Sequence, residues 1–194
     1  MKRVFIIHGW GGKPNGGWLP WLMEELSKKD IFACSLPMPS SEKPIVSEWV
    51  NAIASYVGMP DRDTIFVGHS LGVAAILRYL ENIPQAREIG GMILVSGFIN
   101  PLEQERFVDN VEVTNTFVFP LIDTEKIHSF HIPSVVIHGK KDQLVPYEQS
   151  EKIAKALEAK LILIEDGDHF SQKKEPICRE LPQALEAVLR LTSA

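Results

Sequence analysis

The chain has 194 residues, enough for one domain with a substantial hydrophobic core but too few for two of ordinary size, so we expect a single domain over residues 1–194. Hydrophobic residues make up 45% of the sequence and charged residues 23%, a composition that is typical of globular proteins and argues against disorder. The formal net charge of −5 argues against nucleic acid or an anionic membrane as the main partner, since both require a basic surface, and favours an uncharged small-molecule ligand.

The amino-terminal stretch MKRVFIIHGW combines two basic residues with a short apolar run, but no small-residue cleavage site follows, so we do not expect a signal peptide. No segment approaches the roughly 18 apolar residues of a membrane span. Cys34 and Cys178 belong to no CxxC or CxxH pair and are expected to be buried thiols rather than a disulfide or zinc site. We therefore expect a cytoplasmic protein that is not inserted in a membrane.

Six short apolar runs recur along the chain at intervals that leave room for a helix between them. Runs of this length predict strands that are buried on both faces of a sheet. The runs are VFII from Val4, IFACSL from Ile31, TIFV from Thr64, MILV from Met92, VVIH from Val135 and LILI from Leu161.

Most of the intervals carry apolar residues three and four positions apart, which predicts helices. Such stripes start at Leu19, Val46 and Val73; a less regular one passes through Ile153 and Leu157, and the last includes Ile177, Leu181, Ala184, Leu185 and Val188. Parallel strands need crossovers of this kind. The pattern therefore predicts an α/β fold, an open doubly wound parallel sheet of about six strands with helices on both faces.

The interval 101–133 is longer than a single helix, and we interpret it as a small inserted cap or lid. It contains Phe107, Phe117, Phe119 and Phe130. For any one of these phenylalanines, packing in the core is a better explanation than contact with a substrate. Phe117 and Phe119, together with Trp10, give only a weak indication of an apolar acyl pocket.

The stretch VGHSLG places Ser70 between two glycines, directly after a strand and before a helix. In a GxSxG elbow the serine sits on a sharp strand-to-helix turn that exposes its hydroxyl, and side chains at the flanking positions would collide. Gly68 and Gly72 avoid that collision. The surrounding strand and helix therefore favour a nucleophile over a polar residue in an ordinary turn.

A serine hydroxyl needs a base to remove its proton, and the base needs a carboxylate to orient it. Asp142 follows the fifth strand in HGKKDQLVP, and His169 follows the sixth in EDGDHF. The chain order Ser70, Asp142, His169 is the order that accompanies a nucleophile elbow. Asp166 and Asp168 are interpreted as turn formers, because immediate neighbours in a tight loop seldom orient each other's side chains.

The other histidines have simpler explanations. His69 is expected to pack beneath the elbow, while His8 and His138 end strands and are expected to hydrogen-bond the backbone of their loops. His128 and His131 lack the spacing of a metal-binding pair and are interpreted as surface or lid residues, so no metal site is predicted.

Backbone N–H groups aimed at the developing oxyanion usually give the largest single stabilisation in acyl transfer. We expect one from Leu71, directly after the serine, and one from Trp10 in the glycine-rich HGWGG loop. The stretch GWGGKPNGG fits neither GxGxxG nor GxxxxGK[ST] in register, so binding of a phosphate is the weaker interpretation.

The motifs HGWGG, GHSLG, HGKKDQLVP and GDHF resemble those of the α/β-hydrolase superfamily over nearly the whole chain, and most closely the small serine hydrolases related to the retinoblastoma-binding serine hydrolase. This resemblance implies a six-stranded parallel sheet in the order second, first, third, fourth, fifth, sixth. It also implies a Ser-His-Asp triad that hydrolyses small carboxylic esters without a cofactor. A protein partner is suggested by the resemblance alone.

The sequence thus predicts a serine hydrolase that forms an acyl-serine intermediate on a small-molecule ester. A thioesterase, an amidase or an acyltransferase would use the same triad, because specificity lies in the pocket and lid. A protein-binding module on the same fold is a further alternative. The complete set of triad and oxyanion residues argues against it, because binding alone needs neither a strained elbow nor a base.

Overall fold

A computed structural model describes residues 1–83, 88–103, 111–172 and 177–193. Each of the six predicted strands is present, and together they form one fully parallel sheet in the order β2-β1-β3-β4-β5-β6. This is the order that the family resemblance implies. The strands are β1 (Arg3–Ile7), β2 (Phe32–Ser35), β3 (Thr64–His69), β4 (Gly91–Val95), β5 (Ser134–Gly139) and β6 (Lys160–Ile164).

Helices cover both faces of the sheet, as predicted. They are α1 (Leu19–Ser27), α2 (Val46–Val57), α3 (Leu71–Asn82), α4 (Val111–Thr116), α5 (Thr124–His128), α6 (Tyr147–Ala156) and α7 (Pro182–Thr192). Successive strand residues point to opposite faces, so β1 contributes Phe5 and Ile7 to the core beneath α2, α3 and α6, and Val4 and Ile6 to the core beneath α1 and α7. None of the helices in the described ranges is both long and apolar enough to cross a bilayer.

The prediction that all six strands are buried on both faces is wrong for the two edge strands. In β2, Phe32 is 52% exposed, and most residues of β6 are only half-buried. An edge strand has a neighbour on one side only, and the helices cover the sheet centre more completely. The apolar runs of β2 and β6 therefore reveal strand formation but not position within the sheet.

The last helix is shorter at its start than its apolar stripe predicts. Ile177 lies outside any helix, and α7 begins only at Pro182, with Leu181 at φ −137° and ψ 80°. A proline disfavours helical backbone at the residue before it and suits the first turn of a helix. The apolar side chain of Leu181 still packs in the core, which explains how it joined the periodic pattern.

The described part of the interval 101–133 consists of α4, α5 and their connections, fastened to α3. The buried Arg78 of α3 donates hydrogen bonds to the backbone carbonyls of Phe117 and Pro120. Phe117 is fully buried against Trp49, whereas Phe119 is 70% exposed. Phe107 lies outside the described residues.

The strand order reverses at β1, whose neighbours are β2 on one side and β3 on the other. Helices that leave β1 and β3 therefore start on opposite faces, and a crevice opens between the carboxyl ends of these strands. HGWGG follows β1 and GHSLG includes the end of β3. The topology places the predicted oxyanion loop and the predicted nucleophile on either side of this crevice.

Candidate active site

Ser70 occupies the sharp turn between β3 and α3, as the elbow motif predicts. Its φ of 54° and ψ of −120° lie in a region that side chains other than glycine rarely adopt. The turn brings the start of α3 close to the end of β1, and this close approach requires glycine at position 72. A Cβ atom on Gly72 would collide with the carbonyl oxygen of Ile7 and come within 2.7 Å of that of His8.

The structure brings the three predicted triad side chains into one hydrogen-bonded chain. Nε2 of His169 lies 3.0 Å from Oγ of Ser70, and Nδ1 of His169 lies 2.7 Å from Oδ2 of Asp142. A carboxylate accepts hydrogen bonds, so Nδ1 carries the proton and Nε2 is free to receive one from the serine hydroxyl. This is the geometry in which an imidazole acts as a general base toward Ser70.

The carboxylate of Asp142 is buried and held by several donors. Its Oδ1 accepts the backbone N–H groups of Leu144 and Val145 at 2.8 and 2.9 Å. Burial alone raises the pKa of Asp142, but the contacts with His138 and His169 and the Val145 N–H outweigh it and hold this pKa well below its usual value. Asp142 is therefore ionised at neutral pH and fixed in orientation.

Backbone hydrogen bonds join the acid loop to the base loop. The N–H of Lys140 donates to the carbonyl of Ile164 at 2.9 Å, and that of Lys141 donates to the carbonyl of Gly167 at 2.8 Å. Asp168 forms the turn expected of it, since its Oδ1 accepts the N–H of Phe170 at 2.7 Å. Asp142 and His169 are 27 residues apart in sequence, and the loops that carry them are thus joined by backbone hydrogen bonds.

Three buried histidines at the strand ends bind the backbone of the functional loops. His8 contacts the carbonyl of Gly9 at 2.9 Å, and His138 contacts that of Val145 at 3.0 Å, which agrees with their predicted role in fixing loops. His69 does more than pack beneath the elbow. Its Nε2 lies 2.8 Å from the carbonyl oxygen of His169, a bond that spans 100 residues of sequence.

The two predicted oxyanion residues, Trp10 and Leu71, line the same cavity as Ser70 and His169. Close approach of the HGWGG loop depends on Gly9, since a Cβ atom there would lie 2.9 Å from Cβ of Ser70. The indole N–H of Trp10 donates to the carbonyl of Glu42 at 3.0 Å, which fixes this side chain at the cavity wall.

The cavity has a volume of about 340 Å³ and a largely apolar wall. Sequence reasoning placed Trp10 there correctly, but Phe117 and Phe119 do not line it. The apolar wall comes instead from Phe98, Leu102, Leu144 and Val145. Leu144 and Val145 belong to the acid loop HGKKDQLVP, so their place beside the site could have been inferred from their closeness to Asp142 in sequence.

In the described parts of the chain, no group of three or more His, Cys, Asp or Glu side chains is placed to hold a metal ion. The rings of His128 and His131 meet edge to face with their centroids 5.9 Å apart.

The fold and the arrangement of Ser70 are those of a hydrolase of the α/β class. The sequence profile of the Serine hydrolase family matches residues 4–185, and the chain belongs to this family. It is 34% identical over 169 residues to YdeN of Bacillus subtilis (strain 168), covering 87% of this chain and 86% of the relative. It is 28% identical over 174 residues to Serine hydrolase RBBP9 of Rattus norvegicus, covering 87% of both chains.

Solved structures agree with this assignment. The crystal structure of the Bacillus subtilis ydeN gene product superimposes with a TM-score of 0.90 at 31% identity, covering 100% of both chains. Est1E from Butyrivibrio proteoclasticus superimposes with a TM-score of 0.71 at 17% identity, covering 100% of this chain and 89% of the other. The second likeness concerns the fold alone.

Proposed function

We propose that this serine hydrolase cleaves small carboxylic esters through an acyl-serine intermediate, with Ser70 as nucleophile, His169 as general base and Asp142 as the acid that orients it. The observation that carries this proposal is the hydrogen-bonded chain from Ser70 Oγ through His169 to Asp142, with distances of 3.0 and 2.7 Å. Nucleophile and base lie within hydrogen-bonding reach, and the base is held by a third group.

In the first half-reaction, the hydroxyl oxygen of Ser70 attacks the ester carbonyl while Nε2 of His169 takes its proton. The imidazolium that forms faces the ionised Asp142, which stabilises it. The tetrahedral intermediate then collapses as His169 returns the proton to the leaving alcohol oxygen, and the acyl group remains on Ser70. In the second half-reaction His169 takes a proton from water as the water oxygen attacks the acyl-serine, and it then returns that proton to Oγ of Ser70 as the bond to the acyl carbon breaks and the acid leaves.

The backbone N–H groups of Trp10 and Leu71 are proposed to hold the oxyanion in both steps. Both residues line the cavity beside Ser70, and Leu71 is the first residue of α3. The amino-terminal end of a helix favours negative charge nearby, which adds to the stabilisation of the intermediate. No step of this reaction requires a metal ion or an organic cofactor.

The size and lining of the cavity support a small, mainly apolar acyl ester. A volume of about 340 Å³ is near the lower end for ligand sites in proteins. The side chains of Phe98, Leu102, Leu144 and Val145 supply apolar surface for an acyl chain. We therefore expect p-nitrophenyl esters with short acyl chains to be better substrates than esters with long ones.

The test combines a fluorophosphonate probe with a chain-length series of p-nitrophenyl esters on the wild-type protein and on Ser70→Ala. We expect labelling at Ser70, hydrolysis that is fastest for short acyl chains, and a fall in turnover of up to about a millionfold in Ser70→Ala. Full esterase activity in purified Ser70→Ala would rule out the nucleophile.

Two further outcomes would redirect the proposal. Labelling at Ser70 without hydrolysis of any ester in the series would contradict the ester assignment and favour a thioester, an amide or an acceptor other than water. Folded wild-type protein that is neither labelled nor active would favour the binding-module alternative.

A further inference from the structure

We propose that His69 is a positioning residue of this site: it fastens the loop that carries His169 to the residue next to Ser70, and so sets the distance between base and nucleophile. The inference rests on the proposed function, because it concerns the same reaction. His69 lines the same cavity as Ser70, but its hydrogen bond goes to the backbone of His169, and the role proposed for it is exerted through His169.

The geometry of the contact supports this role. His69 is the last residue of β3, directly before Ser70, and only 4% of its surface is exposed. Its Nε2 lies 2.8 Å from the carbonyl oxygen of His169 itself. One hydrogen bond therefore connects the immediate neighbour of the nucleophile to the backbone of the base.

The protonation state of His69 follows from its partners. Nε2 faces a carbonyl oxygen, which can only accept, so Nε2 carries the hydrogen. Nδ1 is buried and has no hydrogen-bond partner among the described residues. Burial, reinforced by the nearby His169, lowers the pKa of His69 to about 3. His69 is thus uncharged wherever His169 is active as a base, and its hydrogen bond does not change with pH in that range.

Packing holds the ring of His69 in place. The fully buried Trp18 meets it edge to face with the ring centroids 6.0 Å apart, and the ring of His169 lies 5.1 Å away on centroids. A ring confined in this way cannot turn to another acceptor without displacing buried side chains.

The other hydrogen bonds described for the backbone of the base loop involve residues beside His169. The Lys141 N–H binds the carbonyl of Gly167, and Asp168 accepts the N–H of Phe170. The bond from His69 acts on the backbone of His169 directly. Because small errors in the placement of a catalytic group are costly, loss of this bond should affect turnover more than substrate binding.

The experiment compares His69→Phe, which keeps a flat ring without a donor, with His69→Gln, whose Nε2 can replace the imidazole donor. Active sites are counted by complete fluorophosphonate labelling, so that kcat refers only to folded, competent molecules. We expect His69→Phe to lower kcat about a hundredfold with KM changed less than about twofold. His69→Gln should recover most of that loss. The pH at which activity falls on the acidic side should stay the same, since no charge is removed.

Val188→Ala is the control for a general loss of stability, because it removes buried apolar surface from α7 and leaves in place both His69 and the rings of Trp18 and His169 that pack on it. We expect kcat per active site near that of the wild type, even where stability falls. If His69 had only a structural role, all three variants would have fewer active sites, but their kcat values per active site would be alike. Wild-type kcat in His69→Phe, or no recovery in His69→Gln, would overturn the inference.

A measurement on the wild-type protein covers the case in which the variants fail to fold. Ring-nitrogen NMR should show His69 as the neutral Nε2–H tautomer from about pH 5 to pH 8, the range in which free histidines titrate. A titrating ring or the Nδ1–H tautomer would overturn the inference. Inactive wild-type protein that is unlabelled at Ser70 would instead overturn the proposed function, so the two failures are distinguishable.

Discussion

Nε2 of His138 lies 3.2 Å from Oδ2 of Asp142, the same oxygen that faces Nδ1 of His169 at 2.7 Å. Nε2 of His138 also faces the carbonyl of Val145, and both neighbours are acceptors, so this nitrogen carries the hydrogen. Nδ1 of His138 lies 2.6 Å from Oγ of Ser150, so these two atoms share a hydrogen bond. The Nε2–H group of His138 thus points toward the acid while the ring holds the acid loop.

Replacement of His138 by phenylalanine is therefore predicted to destabilise the fold and lower turnover. It leaves the buried carbonyl of Val145 without its donor and removes a favourable dipole from beside a buried carboxylate, a loss of about 1.5–3 kcal/mol. Urea unfolding gives the stability, and kcat per labelled active site gives the activity.

Ser150→Ala is the matched comparison, because it removes only the hydrogen-bond partner of Nδ1 and leaves Nε2 in place. We expect a smaller loss of about 0.5–1.5 kcal/mol and turnover closer to the wild type. Equal effects of the two substitutions on turnover would show that the contact with Asp142 does not matter.

The buried His69 also predicts how stability depends on pH. Burial, reinforced by His169, lowers its pKa from 6.5 to about 3 in the folded protein, while the unfolded chain keeps the higher value. Between these two values the unfolded state binds more protons, so the free energy of unfolding decreases as the pH falls, by up to about 1.4 kcal/mol per pH unit for this group. Above 6.5 the contribution of His69 is constant.

His69→Gln removes this titration, so its stability should fall less steeply than that of the wild type as the pH is lowered from about 6.5. Urea unfolding at a series of pH values measures the two slopes, which are independent of any constant loss from the substitution. Some slope should remain, because burial also lowers the pKa of His8. If the free energy of unfolding changed with pH in the same way in the wild type and in His69→Gln, the lowered pKa of His69 would be contradicted.

The strands, and the positions of Ser70, Asp142 and His169 at or just beyond strand ends, were predictable because each depends on local sequence. An apolar run between turn residues predicts a strand wherever it falls, and the carboxyl ends of parallel strands meet at one edge, so Ser70, Asp142 and His169 could be placed together from their order alone. The exposure of β2 and β6 was not predictable in this way, because sheet position depends on strands distant in sequence.

Side-chain contacts across the site were harder to predict from the sequence. The bond from His69 to the carbonyl of His169 joins residues that share no motif, and the ring could equally have packed without it. The cavity wall was misassigned for a similar reason: Phe117 is aromatic and lies within the predicted lid, but its ring fills the core against Trp49. Side-chain direction in an irregular segment leaves no periodic signal in the sequence.

Gly72 is predicted to be indispensable for the approach of α3 to β1. An alanine there would place its Cβ against the carbonyl oxygens of Ile7 and His8, and backbone atoms cannot move aside as the end of a flexible side chain can. We expect Gly72→Ala to cost at least about 1–3 kcal/mol and to lower activity by displacing the elbow.

The control for Gly72→Ala is Gly58→Ala at the end of α2. Gly58 has a φ of 65° and a ψ of −138°, but apart from its chain neighbours no atom lies within 4 Å of the position that its methyl group would take, so alanine meets only backbone strain of about 1–3 kcal/mol. Activity per active site should be unchanged in Gly58→Ala and reduced in Gly72→Ala. Equal activities would show that the close approach at Gly72 is not required.

Arg78 and Glu81 of α3 hold the segment after α4 by hydrogen bonds, and this is the subject of the last prediction. The side chains of Arg78 and Glu81 are only 7% and 15% exposed and form an ion pair at 2.6 Å. Arg78 also binds the carbonyls of Phe117 and Pro120, and Glu81 accepts the N–H of Asp123 at 2.9 Å. Arg78→Met keeps the apolar stem but removes the cationic partner of the largely buried Glu81 and the donor to two carbonyls, so we expect a loss of about 3–5 kcal/mol.

Arg78→Lys keeps the charge but not the planar fork that reaches three acceptors, so its stability should lie between those of the wild type and Arg78→Met. The double variant with Arg78→Met and Glu81→Leu should be less unstable than the sum of its single changes, because it removes the unpaired carboxylate as well. Urea unfolding of the wild type, the two single variants and the double variant measures this coupling. Additive losses would show that Arg78 and Glu81 contribute to stability independently of each other.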